Sequence, residues 1–205
     1  MNKSVEEYSD EIKKILDEYY ELLRIHNKFL IQVFENYKLP DGMFTGEIEV
    51  DTEYNLKFKT WKMIPSDVTE EDISKLEKEI GIRLPAPLRA YYTSYYHLWD
   101  WQINLSGNSP KAKMIGIYEA YNTLMIHFGY LPFSWDNQYG CLFCMKFDEN
   151  NNECGIYSID HEEMFGFEPE TATLQDIEKV MRFEAENFCE YLYNETVGTI
   201  MKGKT

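Results

Sequence analysis

Basic residues are scarce: 20 Lys and Arg stand against 36 Asp and Glu, a formal net charge of −16. Proteins hold a phosphate backbone by displacing its counterions with Lys and Arg. The deficit therefore excludes nucleic acid as a partner and favours a basic protein. Cysteine is also scarce, with Cys141, Cys144, Cys154 and Cys189 too few and too irregularly spaced for the disulfide framework of a small secreted domain. Free thiols in a reducing compartment are expected. No apolar run approaches the roughly 18 residues of a membrane span, and the opening MNKSVEEYSDEIKK lacks the apolar core of a signal peptide. Together these absences predict a cytoplasmic chain with no membrane partner.

The common catalytic loops are missing as well. There is no GxGxxG, no GxxxxGK followed by Ser or Thr, no HExxH and no GxSxG. Cys141-Leu142-Phe143-Cys144 has the spacing of a zinc or redox pair, but residues three apart on a strand point to opposite faces and no second pair exists. His161-Glu162-Glu163 places adjacent side chains that do not converge on one ion, and His26, His97 and His127 are scattered. No catalytic residue, cofactor-binding residue or metal ligand is assigned, no cofactor is expected, and the chain is read as a non-enzyme.

What the chain does have is burial potential: 44% of its residues are apolar and 16% aromatic, enough for a folded core at 205 residues despite the charge. From Val5 to Tyr37 apolar residues recur at helical spacing, predicting one long helix or two abutting. Leu39-Pro40-Asp41-Gly42 stops that run, and Phe44–Val50 with Tyr54–Trp61 reads as a β-hairpin. Thr69 is an N-cap with Asp72 three residues on, and Gly81 is a left-handed stop. A second helix restarts at Leu84-Pro85-Ala86-Pro87 and carries Tyr91, Tyr92, Tyr95 and Tyr96.

Further along, residues 106–110 read as a loop, and 114–128 as either a strand then a helix or one longer element. A polar turn over Ser134–Gly140 precedes two buried strands, Cys141–Phe147 and Gly155–Asp160, and Thr173–Glu195 has the pattern of a closing helix.

The segment Ile73 to Tyr96, ISKLEKEIGIRLPAPLRAYYTSYY, resembles the signature of the SUKH superfamily: an amphipathic helix, a glycine, an apolar-x-Leu-Pro link and a Tyr-rich helix. Within it Leu76, Gly81, Leu84, Pro85 and Tyr92 carry the motif, and Gly140 opens a matching strand further on. The resemblance implies an α+β fold, with an antiparallel or mixed sheet packed with helices, over residues 65–195. An N-terminal extension, 1–64, supplies the long helix and the hairpin, and 196–205 forms a tail. It further implies a protein that works by binding. Bacterial members are commonly immunity proteins made beside a polymorphic toxin, and others are interaction hubs, including a fungal cell-wall regulator.

The charge pattern suggests where binding takes place. Residues 148–195 hold fourteen Asp or Glu against Lys179 and Arg182, a net −12 of the −16. Asp148, Glu149 and Glu153 lie in or beside one predicted loop, and Asp160, Glu162, Glu163, Glu168 and Glu170 beside another. With Trp135 as an aromatic contact, these are the candidate partner-binding residues. A solvated face that aids solubility is the competing reading. A nuclease toxin must be basic to hold its substrate, so an acidic inhibitor can compete for that surface and be steered to it. The expected partner is a basic cognate toxin, with a scaffold or regulator binding an endogenous protein as the alternative. The oligomeric state is not legible.

Overall fold

Ser4 and Glu7 begin the first element: the Ser4 hydroxyl accepts the Glu7 N–H at 3.2 Å, and the Glu7 carboxylate accepts the Ser4 N–H at 2.6 Å. This reciprocal cap satisfies two backbone donors that a helix start otherwise leaves open. In the computed structural model, which describes residues 3–99, 109–112, 114, 124–136, 140–168 and 170–203, helix α1 runs Val5–His26. It buries Ile12, Ile15, Leu16, Tyr19 and Leu23 on one stripe.

Helix α1 ends sooner than the spacing predicts. Asn27 leaves helical geometry (φ −151°, ψ 62°), Lys28–Ile31 forms a short 3-10 turn, and β1, Gln32–Phe34, is extended. Strands β2, Phe44–Asp51, and β3, Leu56–Trp61, form the expected hairpin, and β1 pairs antiparallel with β3 to give the order β1-β3-β2. Phe29, Leu30 and Phe34 extend a helical spacing, yet all three are exposed and Ile31 is the buried residue of this stretch. Ladder bonds to β3 outweigh a helix whose apolar side would face water. The inner end of β3 enters the core, where Trp61 is buried and its carbonyl accepts the Tyr20 hydroxyl at 2.7 Å.

Strand β4, Ile64–Pro65, leads to helix α2, Glu70–Ile80. The Thr69 and Asp72 capping box forms as expected, and Gly81 terminates α2 at φ +75°, a conformation that favours glycine. Helix α3 runs Ala86–Ser94 behind Pro85, and β5, Tyr95–Tyr96, pairs with β4. Tyr95 and Tyr96 are therefore extended rather than helical. Ser66 is the physical reason: its hydroxyl donates to the Tyr92 carbonyl and its N–H to the Ser94 carbonyl, taking acceptors that a longer helix would use.

The second sheet is antiparallel, in the order β6 (Tyr130–Asp136), β7 (Cys141–Phe147), β8 (Glu153–Asp160), β9 (Arg182–Ala185). Helix α4, Leu124–His127, precedes it, and α5, His161–Phe165, follows β8 directly. Strand β6 continues through Ser134 and Trp135, so the expected polar turn begins only after Asp136, with 137–139 outside the described residues. Most of the expected 106–110 loop and residues 115–123 also lie outside them.

The closing helix is broken in two. Helix α6 spans Leu174–Val180, β9 follows, and α7 spans Phe188–Tyr193, with a π turn over Asn194–Gly198 and α8 at Thr199–Lys202. The outer edge of β8 decides this. Ile156 pairs with Ala185, Tyr157 with Phe183 and Ser158 with Arg182, and the Ser158 hydroxyl donates to Glu184. Asn187 then restarts the helix by accepting the Glu190 N–H at 3.0 Å. Helices α1, α3 and α7 pack on one another, with Phe188 buried among Tyr91, Phe133 and Tyr191. The result is α+β, antiparallel sheets packed with helices.

Candidate functional site: an acidic, aromatic end of the main sheet

Strands β6, β7 and β8 end together on one side of the second sheet, where Trp135 pairs with Leu142 and Leu142 with Ile159. Leu142 and Ile159 are fully buried and Trp135 is half-buried, so the indole is anchored on the core and reaches toward solvent. The His161 ring stands edge-on to it at 5.4 Å between centroids, and its Nδ1 donates to the Gly140 carbonyl at 2.9 Å. Phe165 lies one turn beyond His161 at 6.3 Å and is 67% exposed.

Carboxylates lie along α5 and the loop after it. Asp160 caps α5, its side chain accepting the Glu162 N–H at 2.8 Å. Glu162 and Glu163 follow in the first helical turn, where the positive end of the helix dipole favours acids, and both are exposed. Glu163 has Arg182 at 4.0 Å, a distance that neutralises little at a solvated surface. Glu168 and Glu170 are exposed on the following loop.

The remaining candidates are elsewhere. Strand β8 has eight residues, about 26 Å at roughly 3.3 Å each, and places Asp148, Glu149 and Glu153 at its opposite end. Asp148 organises the β7–β8 turn, accepting the Asn152 N–H at 2.8 Å, the Asn152 side-chain amide at 2.9 Å and the Asn150 N–H at 2.9 Å, which hold its carboxyl below the usual range. Glu149 is exposed. Glu153 faces inward and accepts the Phe188 N–H at the start of α7. Burial dominates there and pushes its carboxyl up to about 7, against the opposing pull of that bond and of Lys3. The structure thus joins Trp135 with Asp160, Glu162 and Glu163, and separates them from the 148–153 group.

The motif residues hold the α2–α3 corner and the sheet end. Leu76, Leu84 and Tyr92 are buried, and Pro85 stands before the first residue of α3. Glu77 accepts the Leu84 N–H at 2.9 Å and the Arg89 guanidinium at 2.8 Å, tying the two helices across Gly81. Gly140 has φ +65°, and a Cβ there would lie 2.5 Å from His161 Nδ1.

Two features escaped sequence reasoning. Phe165 is an exposed aromatic beside His161, and its only signal is the four-residue spacing from His161. A cleft of about 490 Å³ lies between the β7–β8 turn and the α2–α3 corner, lined by Arg83, Leu84, Arg89 and Asn151 among others. Arg89 is committed to Glu70 and Glu77 within it.

Cys144 is fully buried, its thiol pushed far up by desolvation, and Cys141 is half-buried. Among the described residues no three His, Cys, Asp or Glu side chains are placed to hold a metal ion. No helix among them is long and apolar enough to cross a membrane.

No curated protein and no solved structure matches the chain. The model of the SMI1 / KNR4 family (SUKH-1) matches residues 67–194, which takes in the capped α2, the Gly81 corner, α3, the second sheet and α7. By that match over more than half its length, the chain belongs to the SMI1 / KNR4 family (SUKH-1).

Proposed function

We propose that this protein is an immunity protein that binds and neutralises a basic cognate toxin domain, without catalysis, through the acidic end of its main sheet. Membership of a family that includes immunity proteins supports the class of function. The observation that carries the reading is the surface itself: Trp135, His161 and Phe165 follow one another in ring contact, with Glu162 and Glu163 exposed on the same short helix and Glu168 and Glu170 exposed on the loop after it. An aromatic anchor on a rigid strand supplies affinity on desolvation, and uncompensated charge around it supplies steering toward a basic partner. Asp160, Glu162, Glu163, Glu168 and Glu170 give residues 160–170 a net −5, with no Lys or Arg among them, and favour a basic partner there.

The test is co-expression with the toxic domain encoded beside this chain's gene, scored by cell survival and by co-purification. Survival with a stable complex, which Glu162→Lys with Glu163→Lys weakens about tenfold through slower association, supports the reading. Death with no complex would turn the assignment to a scaffold or regulator of an endogenous protein.

A further inference from the structure

Strand β9 is the outer strand of the second sheet, in the order β6-β7-β8-β9. Among the described residues it pairs with β8 alone, and residues 182–185 make no backbone bond to a further segment. Arg182, Phe183 and Glu184 are exposed, Phe183 at 55%. An open strand edge of this kind is a template for another strand.

We propose that β9 pairs antiparallel with β9 of a second copy about a two-fold axis at Phe183, joining the two sheets into one. The order of side chains selects this occupant. Arg182 and Glu184 share the face of Ser158, which pairs with Arg182 and donates its hydroxyl to Glu184. Phe183 turns to the other face, edge-on to Tyr157 at 5.6 Å. In a two-fold pair centred on Phe183, Arg182 lies across from Glu184 of the copy, and Glu184 across from its Arg182. Phe183 meets its own counterpart, and Met181 faces Ala185. Opposite charges and paired aromatics directly across a ladder stabilise it.

The same order fixes the register. Centring the pair on Arg182 or on Glu184 would set like charges face to face, which destabilises a ladder. Strand β2, at the rim of the first sheet, fails this test, because a two-fold pair about Ile48 sets Glu47 across from Glu49 of the copy. A basic strand would meet Arg182 at the β9 edge. That side chain is 59% exposed and its pair with Glu163 spans 4.0 Å, so little holds it back from Glu184 of the copy. A ladder of four residues is a small interface, and the association is accordingly weak.

Sedimentation of the full chain up to about 1 mM tests this. The wild type dimerises. Arg182→Glu alone and Glu184→Arg alone each oppose like charges at both contacts and weaken self-association by roughly tenfold. Mixed in equal amounts, these two variants form a heterodimer, because each edge supplies the charge that the other now lacks. The doubly exchanged chain, Arg182→Glu with Glu184→Arg, dimerises as the wild type does. Where either reversal disturbs folding by circular dichroism, Phe183→Glu, which opposes two carboxylates on the axis, separates the copies instead. A wild type that stays monomeric throughout, a dimer that survives these changes, or a mixture of the folded reversal variants that stays monomeric overturns the proposal.

Discussion

The His161 imidazole occupies the space that a side chain at Gly140 would need: a Cβ there falls 2.5 Å from Nδ1, which also bonds the Gly140 carbonyl at 2.9 Å. The same ring positions Trp135, so a backbone requirement and the candidate binding surface share one contact. Gly140→Ala is expected to cost about 1–3 kcal/mol, combining the left-handed backbone at φ +65° with displacement of the ring. Removing the ring with His161→Ala in the same chain leaves a smaller combined loss than the sum of the two single losses. Urea unfolding of the four variants checks this, and strict additivity would contradict it.

Glu153 gives the fold a pH dependence of known sign. Its carboxyl releases its proton near pH 7 in the folded chain, against an ordinary value of 4.5, because burial beside α1 and α7 disfavours the charge. Lys3, Glu11 and Tyr8 face it from α1 and the residues before it, and Lys3 offsets only part of the burial effect. Between those pH values the folded state holds a proton that the unfolded state has lost, so this group's stabilisation is greatest below about 4.5 and is lost as pH rises through 7. Glu153→Gln keeps an acceptor for the Phe188 N–H and removes the titration. Its stability relative to wild type should climb from pH 4.5 to pH 7 and then level off, as read by denaturant unfolding at several pH values.

Phe188 joins the two halves of the core, packing edge-on against Tyr91 at 5.2 Å and Phe133 at 5.3 Å. It is 1% exposed, so Phe188→Ala leaves a cavity between α3, β6 and α7. A loss of about 3–5 kcal/mol is expected in equilibrium unfolding.

Thiol accessibility separates the four cysteines. Cys154 is exposed and should react first with a thiol reagent, Cys141 more slowly. Cys144 is fully buried and burial pushes the Cys189 thiol up to about 12, so both should react only as the chain unfolds. Counting modified thiols against time checks the order.

Local grammar made part of this fold legible. Thr69 with Asp72, Gly81 and Pro85 are signals that act through neighbouring backbone, and each does in the structure what its chemistry predicts. The errors fall where distant contacts choose between conformations that the local pattern allows equally. Residues 182–185 extend because β8 offers an open edge, Tyr95 and Tyr96 because Ser66 takes the carbonyls behind them, and Val33 because β3 is beside it. The acids were countable in sequence, but only the length of β8 separates Asp148 from Glu162. Glu153 points inward because α7 begins above it, and no spacing in the chain reports that.

Acidic steering has a kinetic signature. Reversing Glu162 and Glu163 to Lys should slow association with a basic partner by roughly tenfold while leaving dissociation within about twofold, and added salt should reproduce the effect in the wild type. Stopped-flow binding in low and moderate salt measures both rates. The two side chains are exposed, so unfolding midpoints should hardly move.

The most direct measurement is amide hydrogen exchange on the complex with the neutralised toxin domain. Slowed exchange at Trp135 and across residues 160–170, with 28–61 unchanged by the toxin, is the predicted footprint. Protection of the β1-β3-β2 sheet or of the Arg83 cleft, with Glu162, Glu163 and Phe165 exchanging as in the free protein, would contradict the account.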